Sequence, residues 1–418
     1  MNLFSGRWVL AGCLLFIFVV MSGSGLHSTG YSLFAPTFGI SMTHLGSLTM
    51  VLTVSGIVSG VGLTALKKRI TLKGVLYLDA LLFYAVAVSA AVIREGLFTL
   101  VLFFFSVGTT LSLGAQVVMT EIVSNWFVKG RARYISLILG CALLGQSVFQ
   151  FIGGQIFSRT GLLTGLTILY GVNGTVLLLV NRFLIVAACP GDLGQRPLGD
   201  EAVAPSESEQ RTAKSHAPGS MALYRSPVFW LCLVGDWSLA GGVNYITMYA
   251  TSFFSQNGIE LQVSTIILSC ATISATVFSF LNGRIMGACG VRWYVAILLC
   301  GVVLGNLSMI LYEVWPSFLL ILFMILFYGI GYSGAQCINI VSGLIFAPED
   351  VANANSKISS IAMSGGLVLL PLSGYLVDHV GYFAVYLVVI SFAVLSLICF
   401  ETALALAKKQ GRFLLADT

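Results

Sequence analysis

Charge is scarce in this sequence. Asp, Glu, Lys and Arg make up 9% of its 418 residues, where a soluble domain carries about 25%. With 57% of residues hydrophobic, too little polar material remains to cover a water-facing surface, so lipid has to solvate most of the chain. No GxxxxGK[ST] phosphate loop occurs, and ATP is therefore not expected as the energy source. The nine cysteines stand singly, with no CxxC and no zinc-like spacing; they read as small packing residues inside helices. The four histidines are isolated too, so neither a metal nor any other cofactor is implied. No nucleophile–base constellation is discernible, which makes an enzyme the least expected class. The net charge of +5 implies no nucleic-acid partner, because basic residues in a membrane chain mainly report orientation.

Long apolar sequence is what the chain has in abundance. A bilayer core about 30 Å thick needs about 20 helical residues. Runs of that order fall near 8–35, 43–66, 74–93, 97–122, 134–157, 161–182, 227–254, 263–283, 293–312, 317–345, 356–377 and 382–405. The first run exceeds the apolar core of a signal peptide, about 7 to 15 residues, and is expected to stay attached as a membrane anchor. With the N-terminus inside, 19 of the 21 Lys and Arg residues collect on the even-numbered connections and the two termini, leaving Arg94 and Arg159 outside. One helix more or fewer would scramble that asymmetry, so the charges support twelve spans and a multi-pass cell-membrane protein with both termini cytoplasmic.

One long polar stretch, from Pro190 to Tyr224, is rich in Gly, Pro, Ser, Glu and Gln and reads as a flexible cytoplasmic linker. It separates an N-terminal six-helix bundle (1–189) from a C-terminal one (225–418). Ser226-Pro227 then opens helix 7, since Ser caps free amides and Pro in the first turn forfeits no hydrogen bond.

The two halves resemble each other. Gly114-Ala115-Gln116 in helix 4 recurs as Gly334-Ala335-Gln336 in helix 10, an offset of 220, and the same offset relates Gly145 to Gly365, Gly154 to Gly374 and Gly161 to Gly381. Thr53-Val54-Ser55-Gly56 in helix 2 matches Thr272-Ile273-Ser274-Ala275 in helix 8 at an offset of 219. Paired junction glycines follow helix 5 (Gly154, Gly161), helix 8 (Gly283, Gly290) and helix 11 (Gly374, Gly381), where they permit tight turns and close helix contact. Their alternation between faces implies three-helix units nested in each half, a plan by which transporters reach two related states around a midplane site.

These features resemble the major facilitator superfamily over nearly the whole chain. Three places are similar to its oxalate/formate antiporter and monocarboxylate transporter group. Met221-Ala222-Leu223-Tyr224-Arg225-Ser226-Pro227-Val228-Phe229-Trp230 resembles that group's "LRSPxFW" start of helix 7. Asn125-Trp126-Phe127-Val128-Lys129-Gly130-Arg131-Ala132 resembles its "RWFxxKRGLA" loop after helix 4. Arg7-Trp8 and Ser22-Gly23…Gly30-Tyr31-Ser32 resemble its helix 1. The resemblance implies an all-α membrane protein of twelve transmembrane helices in two pseudo-symmetric six-helix bundles. It further implies a functional monomer in lipid that moves a small organic anion, often with a proton. The sequence departs from the group in having no charge on helix 8 before Arg284, and Leu66 and Gly287 stand where the loops after helices 2 and 8 usually carry Asp. A charge lock at the cytoplasmic gate is therefore absent or rebuilt.

An ionisable side chain deep in a bilayer costs several kcal/mol and calls for a role. Asp236 lies nine residues past Pro227, about 14 Å into helix 7 at about 1.5 Å per residue; it is a candidate proton carrier, or a carboxylate satisfied by a neighbouring helix. His27, in the polar stretch of helix 1, is the second proton-coupling candidate, or a structural hydrogen-bonding group. Helices 1, 4, 7 and 10 line the cavity in the superfamily, which implies substrate-binding roles for Gln116, Gln336, Tyr31, Asn244, Tyr245, Tyr332 and Asn339; amides and phenols orient a polar substrate without the cost of bare charge. Gln116 and Gln336 equally suit a helix-bridging role beside their small Gly-Ala neighbours. Glu121 and Lys357, near cytoplasmic helix ends, read as gate or ion-pair residues, and Asp79 and Glu401 as structural. Three function classes follow: an anion carrier coupled to protons or to a counter-anion, an efflux carrier for an amphipathic or drug-like compound, and a non-transporting sensor or partner subunit.

Overall fold

The structure, a computed structural model, describes residues 3–67, 69–94, 96–127, 131–198, 224–332, 338, 341–342, 345–346, 354–355, 357–359 and 361–409. Among these residues every extended element is a helix and no strand forms. In hydrocarbon each backbone amide and carbonyl has to be satisfied within its own segment, and a helix does that with side chains apolar all round.

The spans run in order. α1 comprises Leu3–Val20 and, after Met21, Ser22–Phe38. α2 is Met42–Leu66 and α3 is Leu72–Val92. α4 joins Leu97–Thr110, a wider π-helical stretch Leu111–Val118, and Met119–Trp126. α5 is Arg131–Thr160, and α6 is Leu162–Leu179 with a π-helical end, Val180–Leu184. The second half supplies α7 (Pro227–Gln256), α8 (Leu261–Cys289), α9 (Val291–Val314), α10 (Phe318–Tyr332), α11 (Gly365–His379) and α12 (Tyr382–Lys409). Each overlaps one of the twelve apolar runs, though α11 begins at Gly365 where the run starts near 356, and the later part of the run 317–345 lies largely outside the described residues. Among the described residues, eight stretches are long and apolar enough by themselves to cross a membrane, and shorter apolar segments belong to α4, α7 and α10. Outward-facing apolar side chains such as Val92 (75% exposed), Val314 (81%) and Phe318 (73%) would be untenable in water over so many positions and fit a lipid solvent.

Glycines end several of these helices. Gly161, Gly290 and Gly381 precede α6, α9 and α12 with φ of 79°, 78° and 100°, a region nearly closed to other residues. The junction repeat seen in the sequence is thus a repeat of left-handed turns.

The chain packs as two compact units, Met1–Ala202 with Met248–Ile273, and Val203–Thr247 with Ser274–Thr418. Equivalent helix crossings recur in the two. In the first unit, a Cβ on Gly145 of α5 would overlap the carbonyl of Phe18 on α1; in the second, one on Gly365 of α11 would lie 2.9 Å from the carbonyl of Trp237 on α7. Likewise Gly108 of α4 presses on Ser55 of α2, and Gly329 of α10 on Ser274 of α8. All four pairs are related by offsets of 219 to 221.

The stretch expected to be a flexible linker begins folded. Pro190–Leu193 forms a 3-10 turn in which the Cys189 amide donates to Asp192 Oδ2 at 3.3 Å. Leu198 then donates its amide to the Trp126 carbonyl at 2.8 Å, and its side chain fills the space a Cβ on Gly6 would take. The Trp126 indole donates to the Ala187 carbonyl at 3.0 Å. Backbone pairing and the half-buried Leu198 side chain therefore bind 185–198 to the ends of α1 and α4.

Candidate functional site

The polar stretch of α1 is the natural place to start, because Ser22, Gly23, Gly25, His27, Ser28, Thr29, Gly30 and Tyr31 are all buried there. His27 is 5% exposed. Its ring is enclosed by Tyr31 and Phe34 of α1 and by Phe103 and Phe104 of α4, with centroids 5.4 to 6.5 Å away. Among the described residues its Nε2 has no hydrogen-bond partner. Tyr31 is fully buried; its hydroxyl lies 3.4 Å from that of Tyr249 on α7, and the two rings meet edge-on at 5.0 Å. Two predicted residues, His27 and Tyr31, thus stand together in one aromatic cluster. Phe34, Phe103, Phe104 and Tyr249 were not singled out, because an aromatic ring inside an apolar run carries no mark separating a site neighbour from ordinary packing.

The second unit holds the other proton-coupling candidate. Asp236 is 6% exposed on α7, one turn beyond Cys232, and its neighbour Gly235 packs on Cys399 and Phe400 of α12. Among the described residues the ion pairs are Lys67–Glu121 and Arg292–Glu401, so no cation pairs with Asp236. Tyr332, half-buried, rests against Tyr328 at 5.5 Å. The side chains of Gln116, Asn244 and Tyr245, and Gln336 and Asn339 altogether, lie outside the described residues. The backbone of Gln116 falls within the π-helical stretch of α4; such bulges recur at functional sites, and nothing in residue spacing announces them.

Charged groups gather at helix ends. Glu121 of α4 pairs with Lys67 at the end of α2, each about one-third exposed. Where Leu66 replaces the usual Asp, the neighbouring Lys67 thus joins α2 to α4 through an ion pair. Beside it, Asn125 donates to Cys189 Sγ at 3.4 Å. Burial, with the carboxylates of Asp192 and Glu121 adding to it, holds that thiol above its ordinary pKa and keeps it protonated at neutral pH. Lys357 makes a cation–π contact, its Nζ 5.1 Å from the centre of the Tyr224 ring, while the Tyr224 carbonyl accepts from the Trp230 indole at 2.8 Å. The end of the linker is fastened there. Glu401 meets Arg292 at 2.5 Å. Asp79 is fully buried in α3, and among the described residues neither carboxyl oxygen has a partner.

Long apolar helices, repeated glycine crossings and buried polar groups inside each unit define a multi-pass helical membrane transporter built by duplication. The chain belongs to the Major Facilitator Superfamily, whose family model matches residues 13–340 and 247–414. Members of that family are transporters rather than enzymes. A D-xylose–proton symporter superposes with a TM-score of 0.72 at 16% identity, covering 96% of this chain and 97% of the other. A bacterial homologue of the human lysosomal transporter Spinster, inward-facing and unoccupied, gives 0.71 at 15% identity with 99% of both chains covered. The nucleoside transporter NupG gives 0.70 at 14% identity over 95% of this chain and 98% of its own. At these identities the likeness is one of fold, the twelve-helix, two-bundle architecture. No curated protein matches the sequence.

Proposed function

We propose that this secondary transporter carries a small organic anion, a mono- or dicarboxylate, by alternating access, coupled to protons or to exchange against a counter-anion. The observation that carries this reading is Asp236, a carboxyl buried on α7 with no cation beside it among the described residues. A carboxyl with no structural partner is free to take and give a proton as its surroundings change. A monocarboxylate that crosses with one proton, or a dicarboxylate with two, moves as a neutral unit, so the cavity needs amides and phenols more than fixed positive charge. Tyr31, Gln116, Asn244, Tyr245, Tyr332, Gln336 and Asn339 are the proposed substrate contacts, with His27 as a second proton-exchanging group. The bundles 1–189 and 225–418 rock about that site in a functional monomer of the cell membrane, both termini cytoplasmic.

A carrier of an amphipathic compound is the second reading. Two observations favour it: the rings packed around His27 are aromatic, and among the described residues no Lys or Arg side chain is buried. Proteoliposomes loaded with one carboxylate separate the two. Exchange of labelled oxalate, formate, lactate or pyruvate, faster with a pH gradient, is the expected result. Flux of none of these, from protein that is folded and inserted, would overturn the anion assignment.

A further inference from the structure

Within the first unit, α1 and α5 are bonded to the segment Met248–Ile273 of α7 and α8 through a buried polar seam. Gln150 of α5 is its centre and is fully buried. Its amide nitrogen donates to Ser28 Oγ on α1 at 3.1 Å, and its amide oxygen accepts from Thr272 Oγ1 on α8 at 2.9 Å. Thr29 of α1 donates to the Gln150 carbonyl at 3.2 Å. On either side, Thr251 of α7 donates to the Ser28 carbonyl at 2.9 Å, and Ser147 of α5 to the Ser269 carbonyl at 3.0 Å. The helices touch closely, since a Cβ on Gly154 would overlap the side chain of Thr265.

We propose that Gln150 is the latch of this face of the transporter, a positioning residue that holds α1 and α5 against α7 and α8 while the face bearing the 38–42, 160–162 and 256–261 connections is shut. Three features single it out. Both ends of one side chain are engaged on two different helices. The bonds are made by hydroxyls and an amide with no ionic pair, and each such bond between helices in lipid gives only about a threefold bias. A handful gives a bias of about a hundredfold, enough to favour the shut state and small enough for bound substrate to reverse. Finally, Met248–Ile273 is continuous in chain with helices of the second unit yet packs within the first, so parting the seam frees it.

The test needs no substrate and is therefore independent of the anion reading; it rests on the proposed orientation alone, which it also reads. Ala271, fully buried on α8 beside Thr272, is replaced by Cys as a reporter, and labelling by a membrane-impermeant maleimide is measured over the same protein lacking the reporter. With Gln150→Leu, labelling of the reporter from outside intact cells is expected to rise about three- to tenfold. Thr272→Val, a smaller change that removes the hydroxyl shared between Gln150 and the Leu268 carbonyl of its own helix, should move it the same way. Cys13 and Cys232, both buried elsewhere, should stay unlabelled. A rise seen from inverted vesicles instead would support the latch and reverse the orientation. Unchanged reporter labelling in both variants would overturn the proposal, as would parallel labelling of Cys13 and Cys232, which signals general loosening.

Discussion

Asp236 and His27 are the two titratable side chains that the sequence marked inside cavity helices, and their surroundings differ. His27 is walled by four aromatic rings on α1 and α4, whereas Asp236 sits beside Gly235 and Cys232 near α12. The proposed roles differ accordingly. Asp236→Asn keeps the shape and a hydrogen-bonding oxygen but cannot give up a proton. It is expected to reduce pH-driven accumulation to background in proteoliposomes while substrate exchange without net proton movement continues. Accumulation at the parent level would remove Asp236 from the coupling scheme. That both residues could be found without coordinates reflects the cost of placing such groups in lipid. The aromatic cluster could not be found that way, because Phe34, Phe103 and Phe104 come together only when α1 and α4 pack.

At the scale of the helix, the twelve-helix plan was legible because lipid leaves the backbone one economical way to satisfy its hydrogen bonds. Part of the glycine pattern was legible for a second reason, since Gly161, Gly290 and Gly381 answer a demand of the turn and Gly145 and Gly365 a demand of a close helix crossing. Two of these demands are separable by experiment. A Cβ on Gly39, where φ is 63°, meets nothing within 4 Å, so Gly39→Ala costs backbone strain alone, about 1 kcal/mol. A Cβ on Gly145 drives into the Phe18 carbonyl and pushes α1 from α5, a change costing about 1–3 kcal/mol. Thermal unfolding in detergent should therefore rank Gly145→Ala below Gly39→Ala and both below the parent; the reverse order of the two variants would show that the α1–α5 crossing yields more readily than the turn. The π-helical stretches of α4 and α6 and the folded start of the linker were not legible in the sequence. A bulge depends on what packs against the helix, and Leu198 finds the Trp126 carbonyl and the space above Gly6 only after the chain has turned back.

At the scale of the molecule, duplication appears as physical contact. The α5–α1 and α11–α7 crossings are tightened by the glycines Gly145 and Gly365, and α4–α2 and α10–α8 by Gly108 and Gly329. Yet the packing does not follow the duplication everywhere, because Met248–Ile273 groups with helices of the first half. A severed linker should consequently not separate the protein. A protease site placed between 203 and 220 would cut the chain after the anchored stretch that ends at Leu198 and before the one that begins at Tyr224. After cleavage the C-terminal fragment still contributes α7 and α8 to the seam around Gln150, where Ser28, Ser147, Thr251 and Thr272 remain bonded. The two fragments are expected to elute as one complex on gel filtration in mild detergent and to retain transport after reconstitution. Elution as two separate species would mean that covalent continuity, and not the packed segment, holds the halves in register. Combined with Gln150→Leu, the cut sharpens the comparison, since the fragments then lose their tether and the centre of their seam together and should dissociate more readily than either change alone allows.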